Sequence, residues 1–176
     1  MPLITTIHDL AADADAVRRG RYGVIETVAG RFHCLRLRPW PKLVSWPELI
    51  PGGERLSRRL PGARCLLYYN QPRRFPNFLA LRFVVSSPDA GLATSRRALA
   101  VLDEIARLKR TDALLCDAFN SRISDRLLRR WGWEPHTLSR WHRNFIKRFY
   151  GVYEPAAAGD IRAKADDPQA HCVSMS

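Results

Sequence analysis

Apolar residues between positions 98 and 133 recur with two different periods, and these periods predict three elements. Up to Arg110 they recur every three or four residues, as on the buried face of a helix. Ala113–Phe119 is a short, almost entirely apolar run between turn formers, which is typical of a strand buried on both faces. A second helix is expected after it. The stripe of the first helix consists of Ala98, Leu99, Val101, Leu102, Ile105 and Ala106.

The second helix is predicted to begin at Asn120 or Ser121, because either side chain can accept the unpaired N–H groups of a first helical turn. Gly132 suits the left-handed residue that follows a helix. Arginines cover most of the remaining surface. The apolar stripe of this helix consists of Ile123, Leu127, Leu128 and Trp131.

The first half of the chain is predicted to begin with a helix over Thr6–Arg19. Two β-hairpins follow, separated by a proline-rich stretch that leaves room only for short helical turns at Trp46–Leu49 and Glu54–Leu60. The strands of the hairpins are bounded by turn formers and rich in apolar residues. They are Val24–Val28, Phe32–Leu37, Ala63–Tyr69 and Phe78–Ser86.

Residues 140–150 fit two elements. Trp141, Phe145 and Phe149 are spaced by four, which predicts a basic amphipathic helix. Phe145, Lys147 and Phe149 also alternate, which predicts a last strand instead. Residues 155–176 are mostly small and polar, without a period, as in a disordered tail. The sequence thus predicts an α/β fold, with one domain over residues 1–154 and a mixed sheet flanked by helices.

The order helix, strand, Asn, helix and Gly-aromatic pair resembles the second half of the GNAT N-acyltransferase fold, and the match covers residues 63–135. The resemblance implies that Ala113–Phe119 lies parallel to Phe78–Ser86, with the helix Ser95–Lys109 as a right-handed crossover between them. It also implies transfer of an acyl group from acetyl-CoA or another acyl-CoA to an amine acceptor.

The same resemblance implies a coenzyme A site. Main-chain groups at the end of one strand would pair with the amides of pantetheine. The loop Asp89–Ser95 and a helix N-terminus would hold the pyrophosphate. Ala90 stands where the family has Arg or Gln, and Leu128 stands where it has a Tyr acid. The residues expected at the cofactor are Phe83, Val84, Val85, Gly91, Ala93, Ser95, Arg96, Arg97 and Asn120.

Catalysis by this family depends mainly on positioning an amine next to the thioester. An obvious general base is therefore not required. The candidate catalytic groups are Asn120, Asp117 and Glu26. A catalytically silent protein of the same fold is the alternative.

The net charge of the chain suggests a second kind of function, binding to a polyanion. The chain has 29 Lys and Arg against 17 Asp and Glu, a net charge of +12. Such an excess favours polyanionic partners, including nucleic acid and acidic lipid surfaces. A basic surface over Arg122–Arg148 is therefore an alternative nucleic-acid interface. A solvated surface explains the same charge without any partner.

The remaining composition predicts a cytoplasmic protein without metal. Four cysteines form no C-x-x-C pair, so we expect them to be reduced, with Cys34, Cys65 and Cys116 in the core. The histidines and cysteines lack the spacing of a zinc site. No run is long enough for a membrane-spanning helix, and Asp9 comes too early for a signal peptide. The sequence does not indicate an oligomeric state.

Overall fold

The computed structural model describes residues 4–40, 60–117, 124–136, 144–153 and 161–163. Within these residues the chain forms eight strands and three helices. The strands are β1 Thr5–Ile7, β2 Tyr22–Val28, β3 Arg31–Arg38, β4 Arg64–Asn70, β5 Phe78–Ser86, β6 Ala113–Asp117, β7 Glu134–Pro135 and β8 Asn144–Arg148. The helices are α1 Ala14–Arg19, α2 Leu92–Lys109 and α3 Asp125–Arg130.

All eight strands belong to one mixed sheet, in the order β1-β3-β2-β4-β5-β6-β8-β7. Only β5 and β6 run parallel among these neighbours, and α2 is the connection between them. The predicted α/β fold and the predicted parallel pair are confirmed. Helix α2 begins at Leu92, three residues before the expected start at Ser95.

Helix α2 packs on β2, β3 and β4 and builds the larger core on one face of the sheet. Its predicted apolar stripe is buried throughout. The other face has a smaller cluster of Val24, Leu60, Leu66, Tyr68 and Val85. β6 is less covered than predicted: Leu114 is buried, whereas Leu115 and Cys116 are half-buried.

The predicted helix Thr6–Arg19 is wrong in its first half. Residues 5–7 form β1, which pairs antiparallel with β3, and only Ala14–Arg19 is helical. β-Branched residues dominate Thr5–Ile7 and favour a strand. Asp9 accepts hydrogen bonds from the backbone N–H groups of Ala11 and Ala12, so it shapes the turn between the two elements.

The start of α3 also differs from the prediction. Its N-cap is Ser124, whose hydroxyl accepts from the Leu127 backbone N–H, and not Asn120 or Ser121. Gly132 has a φ of +82° after the helix, as predicted.

Of the two alternatives for residues 140–150, the described residues from 144 onward confirm the strand and contradict the helix, and residues 140–143 lie outside the described residues. β8 pairs with the free edge of β6, and that pairing decides between two periods that the sequence fits equally well. Residues 161–163 lie beside residues 8–10 through backbone hydrogen bonds. The predicted turn Trp46–Leu49, the predicted turn Glu54–Leu60 except for its last residue, and the rest of the predicted tail lie outside the described residues.

Candidate functional site

The parallel strands β5 and β6 pair only along the first part of β5. Their register ends at Leu81 and Cys116, whereas β5 continues to Ser86. No strand in the described ranges pairs with β5 on this side from Arg82 to Val85. Strand edges offer backbone N–H and C=O groups to any extended partner.

A β-bulge lies at the same point of β5. Tyr69 of β4 is opposite Leu81, and Tyr68 is opposite Phe83, so Arg82 is an extra residue in this ladder. A bulge bends its strand and increases the local twist. The bulge and the end of the β5–β6 pairing together open the sheet beside Phe83, Val84 and Val85, three residues expected at the cofactor.

The N-terminus of α2 lies at this end of the sheet, because α2 begins only six residues after β5 ends. Gly91 is its N-cap residue, and no side chain caps the first turn. A Cβ at Gly91 would have no atom within 4 Å. Gly91, Ala93 and Arg96 are exposed. The first turn therefore presents backbone N–H groups and partial positive charge to open space.

The opposite side of the first turn is attached to the β2–β3 turn. Thr27 Oγ1 donates to the Thr94 carbonyl at 3.0 Å, and the Gly30 N–H donates to Thr94 Oγ1 at 3.0 Å. Arg97 Nε donates to the Gly30 carbonyl at 3.1 Å. Arg97, expected at a phosphate, therefore holds the hairpin to α2, and the exposed Arg96 is better placed for an anion.

Ser95 faces the sheet beside Cys65. Burial raises the pKa of Cys65 to about 11, and hydrogen bonds from Ser95 and Thr27 act in the opposite direction. A thiol with this pKa stays protonated at neutral pH and is a weak nucleophile.

Cys65 and Cys116 are free thiols, as expected, but Cys34 is disulfide-bonded, so the predicted reduced state is wrong for Cys34.

Glu26 lies at the centre of a buried charge cluster on the face of the sheet away from α2. Its carboxylate is fully buried, 2.5 Å from Arg64 Nη1 and 3.6 Å from Arg36 Nη2. Cys34 Sγ lies 3.7 Å from Glu26 Oε2. A buried carboxylate between two guanidinium groups is costly to separate from its partners. This arrangement suits a structural role for Glu26 better than proton abstraction from a substrate.

The described residues do not bring the three catalytic candidates together. Glu26 is on β2, and β4 and β5 separate it from β6, which ends at Asp117. Three steps of about 4.8 Å between neighbouring strands place those two strands about 14 Å apart. The Asp117 side chain and Asn120 lie outside the described residues. Leu128, at the position of the family's Tyr, is buried and apolar.

Tyr68 is not among the residues predicted for the site, but it lies on the same face of the sheet as Phe83. This phenol is buried directly across the β4–β5 ladder from Phe83, and the two ring centroids are 6.0 Å apart. Tyr68 belongs to the smaller cluster, whereas Tyr69 belongs to the α2 core. The alternation of β4 predicts that two adjacent tyrosines face opposite sides, and only Tyr68 shares a face with Phe83 and Val85.

The proposed basic surface over residues 122–148 is partly neutralised. Lys147 Nζ lies 2.7 Å from Asp103 Oδ2, and Arg148 pairs with Glu134. Arg122, Arg140 and Arg143 lie outside the described residues.

In the part of the chain that the structure describes, no group of three or more His, Cys, Asp or Glu could hold a metal ion. No helix there is long and apolar enough to cross a membrane.

No protein-family model matches the chain, and no curated protein matches it. Among solved structures, the chain is similar to a crystal structure of nourseothricin acetyltransferase, at 12% sequence identity. The similarity covers 83% of this chain and 98% of that one, with a TM-score of 0.41. A likeness of this size does not indicate a shared substrate.

Proposed function

We propose that this chain is an N-acyltransferase that takes its acyl group from acetyl-CoA or another acyl-CoA. The observation that carries the proposal is the opening beside β5, where the strand continues past its last pair with β6. The uncapped N-terminus of α2 follows within six residues. This combination supports the cofactor site that the GNAT resemblance implies.

The pantetheine arm of coenzyme A contains two amide groups. Both can hydrogen-bond to a strand edge, in the manner of an added β-strand. Phe83, Val84 and Val85 supply that edge in our proposal. The contact is made by main chain, so it does not depend on which side chains occupy these positions.

The pyrophosphate would lie at the N-terminus of α2. Backbone N–H groups of a first helical turn and the helix dipole both favour an anion there. Gly91 and Ala93 leave the approach open, and Arg96 adds a nearby positive charge. In this proposal Arg96 supplies the positive or polar side chain that the GNAT pattern has at the position of Ala90, where it has Arg or Gln.

The chemistry would consist of attack by a neutral amine on the thioester carbonyl, followed by loss of coenzyme A as a thiolate. The C–N bond forms as the C–S bond breaks, and the amine loses one proton to solvent. We propose that the Tyr68 phenol donates its proton to the leaving sulfur of coenzyme A. Solvent then returns a proton to the Tyr68 phenolate. General acid help of this kind contributes about 10²-fold or more.

Binding is tested by titrating acetyl-CoA into the protein and into two Gly91 variants. Gly91→Trp fills the space before α2 and should abolish binding, whereas Gly91→Ala should retain it because a Cβ there meets no atom within 4 Å. Thermal unfolding of both variants checks the fold. Absence of binding by the parent protein at millimolar acetyl-CoA contradicts the proposed function.

Turnover is tested by measuring free thiol released from acetyl-CoA with a panel of primary amines. Tyr68→Phe should bind acetyl-CoA normally and lower kcat by about 10²-fold. Tyr69→Phe is the matched control, since its ring lies on the other face, and should keep kcat. Binding without thiol release for any amine would identify the catalytically silent alternative.

A further inference from the structure

Six segments of the chain leave the sheet at the same end. The registers place Tyr22 beside both Arg38 and Asn70, and Ala113 beside both Phe78 and Arg148. This end is opposite the N-terminus of α2. The segments that leave there are residue 4 and residues 19–21, 39–40, 71–77, 110–112 and 149–152.

The large apolar residues exposed at this end come from four different segments. From β1 to β8 there are six steps between strands, which spread the segments over about 30 Å. Of the six exposed large hydrophobic residues in the described ranges, only Leu92 lies elsewhere. The five at this end are Ile4, Trp40, Phe75, Tyr150 and Val152, with exposures of 50%, 65%, 60%, 80% and 78%.

Exposed arginines lie on three of these six segments. None of them forms an ion pair with another described residue, and their charge is therefore not neutralised within the described chain. Acidic side chains are few here: Asp15 pairs with Arg18, and Asp112 is exposed. The exposed unpaired arginines are Arg19, Arg21, Arg73, Arg74 and Arg110.

We infer that this end of the sheet, which we call the arginine-apolar end, docks on the surface of a bilayer rich in acidic phospholipids. Aromatic and aliphatic tips partition into the headgroup region, and basic residues attract the acidic lipids. A broad, multi-loop surface of about 30 Å suits a planar partner. Bound in this way, the protein leaves the N-terminus of α2 facing away from the membrane.

A single-stranded nucleic acid is less well matched. Proteins that bind such strands stack successive bases on aromatic rings along one charged groove. Here Ile4 and Val152 have no ring, and Trp40, Phe75 and Tyr150 stand on three separate segments. These aliphatic tips gain nothing from stacking but do gain from partition into a bilayer.

The experiment is co-sedimentation of the full chain with vesicles of phosphatidylcholine alone or mixed equally with phosphatidylglycerol. We expect binding to the mixed vesicles and little binding to the neutral ones. Arg73→Glu/Arg74→Glu should weaken binding by about 20-fold or more, because each basic residue contributes about fivefold near an acidic surface. Phe75→Ser/Tyr150→Ser should weaken binding by about tenfold or more, since both apolar tips are lost.

The matched control is Arg129→Glu/Arg130→Glu on α3, which changes the charge equally at a site outside the arginine-apolar end. It should stay within about threefold of the parent protein, because the effect of an exposed charge fades within a Debye length. An equal loss in this control, or no binding to acidic vesicles at low salt, overturns the proposal. Binding of a single-stranded DNA oligomer without vesicle binding, lost in Arg73→Glu/Arg74→Glu, also overturns it and assigns the surface to nucleic acid.

Discussion

Replacing Glu26 by Gln should destabilise the fold, because the substitution breaks a buried charge cluster. The carboxylate is fully buried and lies 2.5 Å from Arg64 Nη1, whose side chain is only 7% exposed. Glutamine keeps the shape and one acceptor oxygen but leaves the Arg64 charge without its counter-ion. The free-energy cost of burying the Arg64 guanidinium is then no longer offset by an ion pair with a carboxylate.

The expected magnitude follows from that burial. Removing one partner of a buried ion pair costs about 3–5 kcal/mol. We expect the lower end, about 3 kcal/mol, because Gln retains a hydrogen-bond acceptor and Arg36 reaches the cluster from a partly exposed position. For a chain of this length, that loss lowers Tm by about 6–12 °C.

The assay is urea unfolding of the parent protein, Glu26→Gln, Arg64→Met and the double variant. The double variant should be less destabilised than the sum of the two single variants, by about 1–3 kcal/mol, because the second change removes a charge that the first left unpaired. Unchanged stability of Glu26→Gln together with loss of thiol release would instead indicate that Glu26 acts as a catalytic base and not as a structural charge.

Three further predictions concern the α2 side of the sheet. Tyr69→Phe should raise the unfolding free energy by about 1 kcal/mol, because the buried hydroxyl has no hydrogen-bond partner among the described residues; a clear loss in urea unfolding would contradict this. Gly23→Ala should lower it by about 1–3 kcal/mol, since a Cβ there lies 2.6 Å from the Tyr69 ring, and unchanged stability would count against that packing. Burial and the nearby Arg21 lower the pKa of Lys109 from 10.5 to about 8, so between these pH values the unfolded chain binds a proton that the folded chain does not. Stability should therefore rise with pH in this window more steeply in the parent protein than in Lys109→Met, and parallel pH profiles would show that Lys109 keeps its ordinary pKa.

The elements with a sustained hydrophobic period could be predicted from the sequence. The α2 stripe and the two hairpins contain enough residues in phase to define a helix or a strand. Thr5–Ile7 is too short to show a period, and it becomes a strand only because β3 has an edge to pair with. Residues 144–148 fit both periods, and the edge of β6 decides between them.

The candidate site was predictable only in part. The position of Phe83–Val85 before a helix N-terminus follows from the order of elements. The end of the β5–β6 pairing at Leu81 coincides with the bulge at Arg82, and no local residue preference reveals either feature. The burial of Glu26 between two arginines likewise requires three strands to come together. Such contacts join residues that are distant in the sequence, so no short stretch of sequence predicts them.

The proposed function depends on coenzyme A binding along the open edge of β5 and at the N-terminus of α2. The most direct test is a titration of the isotope-labelled protein with coenzyme A, followed through its backbone amide resonances. We expect the largest changes at the N–H groups of Phe83, Val84, Val85, Gly91 and Ala93. Resonances that stay unchanged at millimolar coenzyme A, or that change only at other residues, would contradict it.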